Sequence, residues 1–282
     1  MTGVRGVGLL TGWGAGTASL PADARSAAAG RRVIPLATPP YDGERFRRAT
    51  RECLLGVAAV GAMLDDAGLA RDAIAGPDTA LVYVTAAAYG ASNRQFIDGG
   101  RARPAEAAGG PTHARVAPSV YFPYTAPSAV PAEVAIEYGL RGGYVILVGG
   151  AAAAVQALWQ AASLLGRRRC GRALVLAVET FAECEDLWAR GRWALRRPLV
   201  EAAACVLLEG DGDARYAAVA RPAPLETLAR RRAGETLACE PLIGLGLARD
   251  GGEPEARLTG QWRGQRMGVT LVLSTAGARR QA

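Results

Sequence analysis

The sequence predicts an α/β fold in which helices cover both faces of a buried sheet. Segments with strand-like and helix-like patterns alternate through the first two thirds of the 282 residues. Two strand candidates, residues 172–178 and 202–208, are apolar without alternation, as in strands that are covered on both faces. Half of the residues are hydrophobic, which is enough to build a sizeable core.

Most of the predicted elements lie in the first half of the chain. Residues 4–10 and 80–85 have the composition of strands. A helix is predicted over residues 46–68, with Gly68 at its end, and a second helix over residues 127–138. One apolar stripe at helical spacing is expected to form the buried face of the first helix: Leu54, Val57, Ala58, Gly61 and Leu64.

Residues 142–166 contain no charged side chain and are long enough to span a bilayer. Gly149 and Gly150 interrupt this stretch, and two glutamines lie in its second half. Residues 144–148 are aromatic and β-branched, whereas residues 151–165 are rich in alanine and leucine. We therefore expect a buried strand, a glycine turn and a buried helix, and no membrane span.

The composition excludes several kinds of chemistry. All 33 basic residues are arginines, so enzymes that need a lysine amine are excluded, among them P-loop, Schiff-base and pyridoxal-phosphate enzymes. His113 is the single histidine, which excludes a site of several histidines. The five cysteines form no C-x-x-C pair, so neither a zinc site nor a disulfide framework is expected. We expect no metal and no bound cofactor.

The net charge of +7 is compatible with an acidic partner, such as nucleic acid, an anionic membrane or an acidic carrier protein. The arginine bias of a GC-rich genome is the alternative explanation of this charge, and we favour it. The basic runs at residues 167–169 and 230–232 lack interleaved aromatic residues, which argues against nucleic acid. The first residues contain no apolar segment of the kind found in secretory signals, so a cytoplasmic location is expected.

Five short strings follow one another in a recognisable order. They are LDDAGL at 64–69, EYGLRGG at 137–143, AVE at 177–179, EAAACVLLE at 201–209 and RMGVTLVL at 266–273. The first four, together with the strand and helix predicted after EYGLRGG, resemble in order and spacing the β-ketoacyl synthases of the thiolase-like fold, and the fifth resembles the closing strand of that family. The resemblance covers residues 4–215 and the closing strand. Glu179 and Glu201 match family positions and are expected to bind backbone or arginine groups.

The resemblance implies a thiolase-like layered α/β fold, with a buried sheet between helices, truncated to the N-terminal half plus a final strand. Residues 1–215 would form that half, residues 216–264 an irregular remnant of the second half, and residues 265–282 the final strand and tail. A half of this kind should expose an apolar face where the missing half or a partner packs.

The sequence departs from the family at the position of the nucleophile. In an active synthase, a cysteine at the elbow between a strand and a buried helix takes the acyl chain as a thioester. Counting from Arg141 and Gly142, that position is Ala151, with Gly150 and Ala152 beside it. The family's two histidines fall in the missing half, and its lysine is absent. The resemblance therefore implies that this chain alone has no catalytic residue for the reaction.

A synthase-like chain without a nucleophile resembles the chain-length factors of type II polyketide synthases. It is similar to short versions found beside ketosynthases that make aryl polyenes and other highly reduced polyenes. This implies a non-catalytic subunit that pairs with an active β-ketoacyl synthase, completes its acyl tunnel, and sets or supports chain elongation. The growing chain would be carried as a phosphopantetheine thioester on an acyl carrier protein, which would dock through the partner. Nucleic-acid and membrane partners are not expected.

Residues 116–134 lie where the family has the segment that reaches the two-fold interface and the partner's tunnel. Bulky side chains there would block a growing chain, and small ones would let it extend. The bulky candidates are Tyr121, Phe122 and Tyr124, and the small ones are Ala126, Ala129 and Val130. Ordinary packing is the alternative for each of these residues.

Two other functions remain open from the sequence. The chain could be a carrier-protein docking module or a structural homodimer, which would be stable without any synthase. It could also be a standalone acyltransferase with an unusual nucleophile, for which Ser128, Ser163 and Cys184 are the candidates.

Overall fold

The structure is a computed structural model that describes residues 2–41, 44–46, 49–87, 93, 125–191 and 197–273. The longer strands are β1 (Thr2–Thr11), β4 (Thr79–Thr85), β5 (Tyr144–Val148), β6 (Arg172–Glu179), β8 (Ala202–Gly210), β9 (Ala214–Ala218), β10 (Glu255–Trp262) and β11 (Gln265–Val272). The two-residue strands are β2 (Gly14–Ala15), β3 (Val33–Ile34) and β7 (Leu199–Val200). The helices are α1 (Ala24–Ala28), α2 (Arg51–Ala67), α3 (Ala129–Tyr138), α4 (Gly150–Gly166), α5 (Phe181–Gly191), α6 (Pro224–Ala233) and α7 (Glu240–Asp250).

A six-stranded mixed sheet lies at the centre, in the order β2-β1-β8-β6-β4-β5. Strands β4, β5 and β6 are parallel, with β4 between the other two. Strand β8 is antiparallel to both β6 and β1. Strands β6 and β8 are buried over most of their length, which confirms the prediction from their unbroken apolar runs.

Alternate residues of the central strands point into two separate cores, as the pleat of a strand requires. On β8, Cys205 and Leu207 enter the core beneath α2 and α3, whereas Val206 and Leu208 enter the core on the side of α4. Helix α4 is covered on its other side by the three-stranded sheet β10-β11-β9. The described part therefore stacks a helix layer, a sheet, a second helix layer and a second sheet.

Within the described ranges, the strands and helices predicted from residue 4 to residue 208 are confirmed, although the helix predicted from residue 46 begins only at Arg51. Helix α2 begins after Thr50, whose side chain accepts the Cys53 N–H, and it ends at Gly68 with a left-handed φ of 63°. Residues 142–166 form β5, the glycine turn and α4, as predicted. Within the described ranges, no helix is long and apolar enough to cross a membrane.

The predicted buried face of α2 is partly wrong. Leu54, Ala58 and Gly61 are only half-buried, whereas Val60 and Met63, which lie outside the predicted stripe, are completely covered. The helix is apolar around most of its circumference, so spacing alone does not select the face that packs.

The expectation of an irregular segment at residues 216–264 is also wrong, because α6, α7 and β10 lie within it. Arg230, Arg231 and Arg232 obscure the amphipathic pattern of α6. Helix α7 contains Gly244 and Gly246, which lower its intrinsic propensity, but nearly all of its residues are buried. Tertiary packing, and not the local sequence pattern, therefore stabilises both helices.

Candidate functional site

The elbow between β5 and α4 is the place where the sequence locates the missing nucleophile. The Gly149 N–H donates to the Thr85 carbonyl at 2.9 Å, which ties the elbow to the end of the neighbouring strand β4. Gly149 and Gly150 have φ values of 153° and 53°. Such values are readily adopted only by glycine, so the two glycines allow the abrupt change from strand to helix.

Ala151 lies in the first turn of α4, immediately after the elbow. Its methyl group is 3% exposed. A thiol at this place would gain from the positive end of the helix dipole, but a methyl group can neither attack a thioester nor move a proton. The elbow thus has the backbone of a nucleophile position without the nucleophile.

The hairpin of β10 and β11 packs on this elbow. The Trp262 side chain lies over Gly149 and Gly150, and the backbone of Gly260 lies against Ala151. Sequence reasoning did not identify either residue as part of the site.

A buried carboxyl group lies at the same end of the parallel strands as the elbow. Glu179 ends β6, and its Oε1 accepts the N–H groups of Ala86 at 2.6 Å and Ala238 at 3.3 Å. The Cys184 thiol donates to Oε2 at 3.1 Å. Burial raises the pKa of Glu179 to about 8, so this carboxyl is mainly protonated at neutral pH. It links the end of β4, the start of α5 and the turn before α7.

Glu201 is a second structural carboxylate, as the sequence predicts. Its oxygens accept the N–H groups of Leu36 and Phe181, both at 2.8 Å, and it pairs with the Arg51 guanidinium at 2.6 Å. Burial acts to raise the pKa of Glu201, but the hydrogen bonds from Arg51 and the two backbone N–H groups bring it below its ordinary value. The group is ionised and joins three segments of the chain.

The alternative nucleophiles are poorly placed for acyl transfer. Burial, and then the charge of Glu179, hold the pKa of Cys184 well above its ordinary value, so it is not a thiolate. Ser163 is in the last turn of α4, and Ser128 directly precedes α3; neither lies at a strand-to-helix elbow. In the part of the chain that the structure describes, no group of three His, Cys, Asp or Glu side chains could hold a metal ion.

The predicted interface segment is described only from Thr125 onwards. Tyr121, Phe122 and Tyr124 lie outside the described residues, as does His113. All three small candidates are described. Ala126 is half-buried before α3, and Ala129 and Val130 are buried at the start of that helix. Val130 belongs to the core beneath α2 and α3, so it has no exposed surface in this chain.

Strand β5 has an open side, which contradicts the prediction that it is buried. Among the strands that the structure describes, β5 pairs only with β4, so its other edge is free. The large hydrophobic residues exposed in the described chain all lie on β5 or the adjacent α3: Ile136 at 67%, Tyr144 at 60%, Val145 at 36% and Val148 at 55%. Their composition resembles that of a covered strand, and here no described segment of the chain covers them. The open edge of β5 thus carries exposed apolar side chains on both faces of the strand.

Comparison with known families decides the relationship. Residues 37–198, more than half of the chain, match the family described as Beta-ketoacyl synthase, N-terminal domain. The chain belongs to the β-ketoacyl synthase family. The matched region includes β5, the elbow and α4, whereas the hairpin that covers the elbow lies beyond it. A search of the curated proteins finds no match.

Solved structures of the family share the fold of this chain at low identity. A type II PKS acyl-carrier protein in complex with its ketosynthase, AntDE:AntF, matches with a TM-score of 0.71 and 14% identity over 96% of this chain and 98% of that chain. The ishigamide ketosynthase/chain length factor gives 0.65 and 16% over 97% and 99%. The ketosynthase ApeO in complex with its chain length factor ApeC, from Xenorhabdus doucetiae, gives 0.60 and 14% over 96% and 99%. The described architecture is therefore the thiolase-like fold of ketosynthases.

Proposed function

We propose that this chain is a non-catalytic subunit that pairs with an active β-ketoacyl synthase, in the manner of a chain-length factor. One observation carries the proposal: at β5, the strand end that should present a nucleophile presents Ala151, while the strand edge presents an uncovered apolar surface. The chain thus lacks the chemistry of the family and keeps a surface for assembly.

The lack of a nucleophile follows from the side chains at the elbow. Acyl transfer in this family requires a group that forms a covalent thioester, and the methyl of Ala151 cannot form one. The cysteines are all buried in the described structure, so none of them replaces it from nearby. Condensation would therefore take place on the partner, on an acyl chain carried as a phosphopantetheine thioester by an acyl carrier protein.

The open edge of β5 supports the existence of a partner. An unpaired strand edge with exposed apolar residues favours pairing with another chain, and soluble proteins generally protect such edges. Tyr144 and Val148 lie on one face of β5, and Val145 lies on the other, so a partner strand added at this edge would cover both rows. Stable obligate interfaces commonly bury about 2,000 Å² or more, so the interface would extend beyond this one strand edge.

A synthase is a better occupant of this edge than a second copy of the chain. Two of the similar solved structures are described as a ketosynthase with its chain length factor. A homodimer of this chain would join two elbows that each carry alanine and would have no catalytic centre for the family's reaction. We therefore assign the edge to an active synthase.

The finer role in setting chain length remains part of the proposal. Three bulky residues would limit the length of the growing acyl chain, and they lie outside the described residues: Tyr121, Phe122 and Tyr124. Ala126, half-buried just before α3, is the described candidate nearest to them along the chain.

Co-expression with an active β-ketoacyl synthase from the same organism tests the proposal. We expect a stable heteromer in size-exclusion chromatography with light scattering, and elongation of malonyl units only when both chains are present. Replacing the partner's catalytic cysteine should abolish the product, because this chain contributes no nucleophile. A soluble homodimer that ignores every synthase offered would contradict the proposal and favour the structural-homodimer alternative.

A second arm of the same experiment addresses chain length. Phe122→Ala should lengthen the products of the heteromer, since a smaller side chain would let the acyl chain extend. Tyr216→Ala is the matched control, because Tyr216 stacks on Trp159 in the outer layer, at 5.0 Å between ring centroids. Unchanged product lengths with Phe122→Ala would leave stabilisation of the synthase as the role of this chain.

A further inference from the structure

The hairpin that covers the elbow has a geometry that fixes one side chain. Strands β10 and β11 are antiparallel, and Trp262 and Gln265 form their last pair. The two residues between them, Arg263 and Gly264, have φ values of 48° and 84°. Positive φ at both positions is typical of the tight two-residue turns that match the twist of a hairpin. Trp262 is therefore held at the end of a rigid ladder.

The indole of Trp262 lies across both glycines of the elbow. A Cβ atom added at Gly150 would lie 2.7 Å from Cζ3 and 3.0 Å from Cδ2 of the indole, well inside contact distance. A Cβ atom added at Gly149 would lie 3.5 Å from Cδ1 and 3.7 Å from Nε1. The ring occupies the space that side chains at these two positions would need.

The same face of β10 also covers Ala151. Residues two apart on a strand point to the same side, so Gly260 and Trp262 act together. A Cβ atom added at Gly260 would lie 2.9 Å from the Ala151 Cβ, which means that the strand backbone rests directly on the first turn of α4. Glycine at 260 allows this close approach, and the indole of Trp262 lies beside it over Gly149 and Gly150.

We infer that Trp262 is a built-in occupant of the elbow, which closes the space in front of the first turn of α4 to any substrate. The inference rests on the proposed function in one respect: it explains how a non-catalytic subunit keeps the acyl chain out of its own elbow and leaves it to the partner. The closure is independent of the missing nucleophile, since it comes from another part of the chain. A thiol restored at position 151 alone should therefore stay unreactive.

Thiol labelling of the full chain tests this closure. The natural cysteines are buried in the described structure, so background reaction with iodoacetamide should be low. We expect the thiol of Ala151→Cys to react at least about 100-fold more slowly than the thiol of Ala151→Cys/Trp262→Ala, because a covered group reacts only during local opening. Mass spectrometry of the peptide that contains position 151 gives the rate.

Two control variants separate closure from general loosening. Ala151→Cys/Trp159→Ala removes a tryptophan from the same helix α4 at a distance from the elbow, and should label as slowly as Ala151→Cys. Trp262→Ala without the new thiol should not label, which shows that the natural cysteines stay buried. If the double variant with alanine at 262 does not fold, Ala151→Cys/Trp262→Leu keeps an apolar side chain and still opens part of the space.

Rapid labelling of Ala151→Cys with Trp262 in place would overturn the inference. So would equally slow labelling of folded variants that lack the indole. A second measurement uses Trp262→Ala alone: added indole should raise its melting temperature and leave that of the natural chain, which still holds the Trp262 side chain, unchanged, as expected when a cavity accepts the group it has lost. None of these readouts needs a synthase, so failure of the closure and failure of the proposed pairing are distinguishable.

Discussion

The edge of β5 and its carboxyl end differ in how far other parts of the chain cover them. Along the edge, Tyr144, Val145 and Val148 stay exposed, and within the described chain nothing pairs with the strand on that side. At the end, the elbow of Gly149 and Gly150 is covered by an indole that comes from a distant hairpin. One strand thus has an uncovered apolar edge and a tightly packed end.

The edge of β5 is suited to binding a partner, whereas the elbow is the place where members of this family carry their nucleophile. An exposed apolar edge is a liability for a lone chain, so its retention favours a partner that covers it. A helix N-terminus after a strained elbow is, in contrast, a place that enzymes keep open for substrate. In this chain, the helix N-terminus after the elbow carries Ala151, and the indole of Trp262 lies over the elbow. Both features support the proposed role as a subunit that binds beside the active site of a synthase.

The largest effect is expected from a charge on the open edge. Tyr144→Asp should weaken the heteromer with the synthase at least about 100-fold, because burying an unpaired carboxylate in an apolar interface costs several kcal/mol. The chain alone should unfold at an unchanged denaturant concentration, since Tyr144 is exposed there. Size-exclusion chromatography and titration of the labelled chain measure the first effect, and urea unfolding the second.

Ala217→Asp is the matched control for this prediction. Ala217 is exposed on β9, which is an edge strand of the outer three-stranded sheet. This substitution adds the same charge to an edge strand elsewhere and should leave the heteromer intact. Equal losses from the two variants would mean that the effect is general repulsion and that the β5 edge is not the interface.

A smaller effect is expected from a methyl group at the closed end. Gly150→Ala should destabilise the chain by about 2–4 kcal/mol, because it adds backbone strain at positive φ and an overlap with the indole of Trp262. Gly252→Ala has a similar φ of 72° with no atom within 4 Å of the added carbon, and should cost only about 1 kcal/mol. Urea unfolding of both variants gives the difference.

A double-mutant cycle then tests whether the indole is the cause. Combining Gly150→Ala with Trp262→Ala should recover the overlap part of the penalty, so the two changes should be clearly non-additive. If the free energies of unfolding simply add, the added methyl does not meet the indole and the elbow is not closed by Trp262.

The fold could be predicted from the sequence where local signals agree. The unbroken apolar runs of β6 and β8 indicate strands covered on both faces, and Gly68 marks the end of α2. The second part of the chain gives weaker signals, because α6 carries three consecutive arginines and α7 contains two glycines. These helices form because they pack on each other and on β10, and α7 also packs on β1 and β8 of the first sheet. Such long-range packing cannot be read from local sequence patterns.

The site could be predicted only in part for the same reason. Ala151 is located by counting along a short string that includes Arg141 and Gly142, so local sequence suffices. Trp262 is far from the elbow along the chain, and nothing local says on which helix its hairpin packs. The apolar composition of β5 predicts a buried strand, but composition does not tell whether the cover comes from the same chain or from a partner.

The smallest predicted effect concerns pH at the closed end of the sheet. Burial raises the pKa of Glu179 to about 8, above the ordinary value of 4.5 that the group has when the chain is unfolded. A raised pKa in the folded state gives stability that is fully present below pH 4.5 and is lost as the pH rises towards 8. Between pH 6 and 7, where the group is protonated in the folded chain and ionised in the unfolded one, it alone should lower the free energy of unfolding by about 1.4 kcal/mol.

Glu179→Gln isolates this contribution, since the amide oxygen can still accept the N–H groups of Ala86 and Ala238 and the side chain no longer titrates. Its free energy of unfolding, measured in urea at several pH values, should fall less steeply between pH 6 and 8 than that of the natural chain. Some slope should remain, because burial also raises the pKa of Glu240 to about 8. Glu253→Gln removes an exposed carboxylate and should leave the slope unchanged. A slope in Glu179→Gln equal to that of the natural chain would mean that Glu179 is already ionised at pH 6 in the folded chain. The end of the sheet beside the elbow would then accommodate a buried charge.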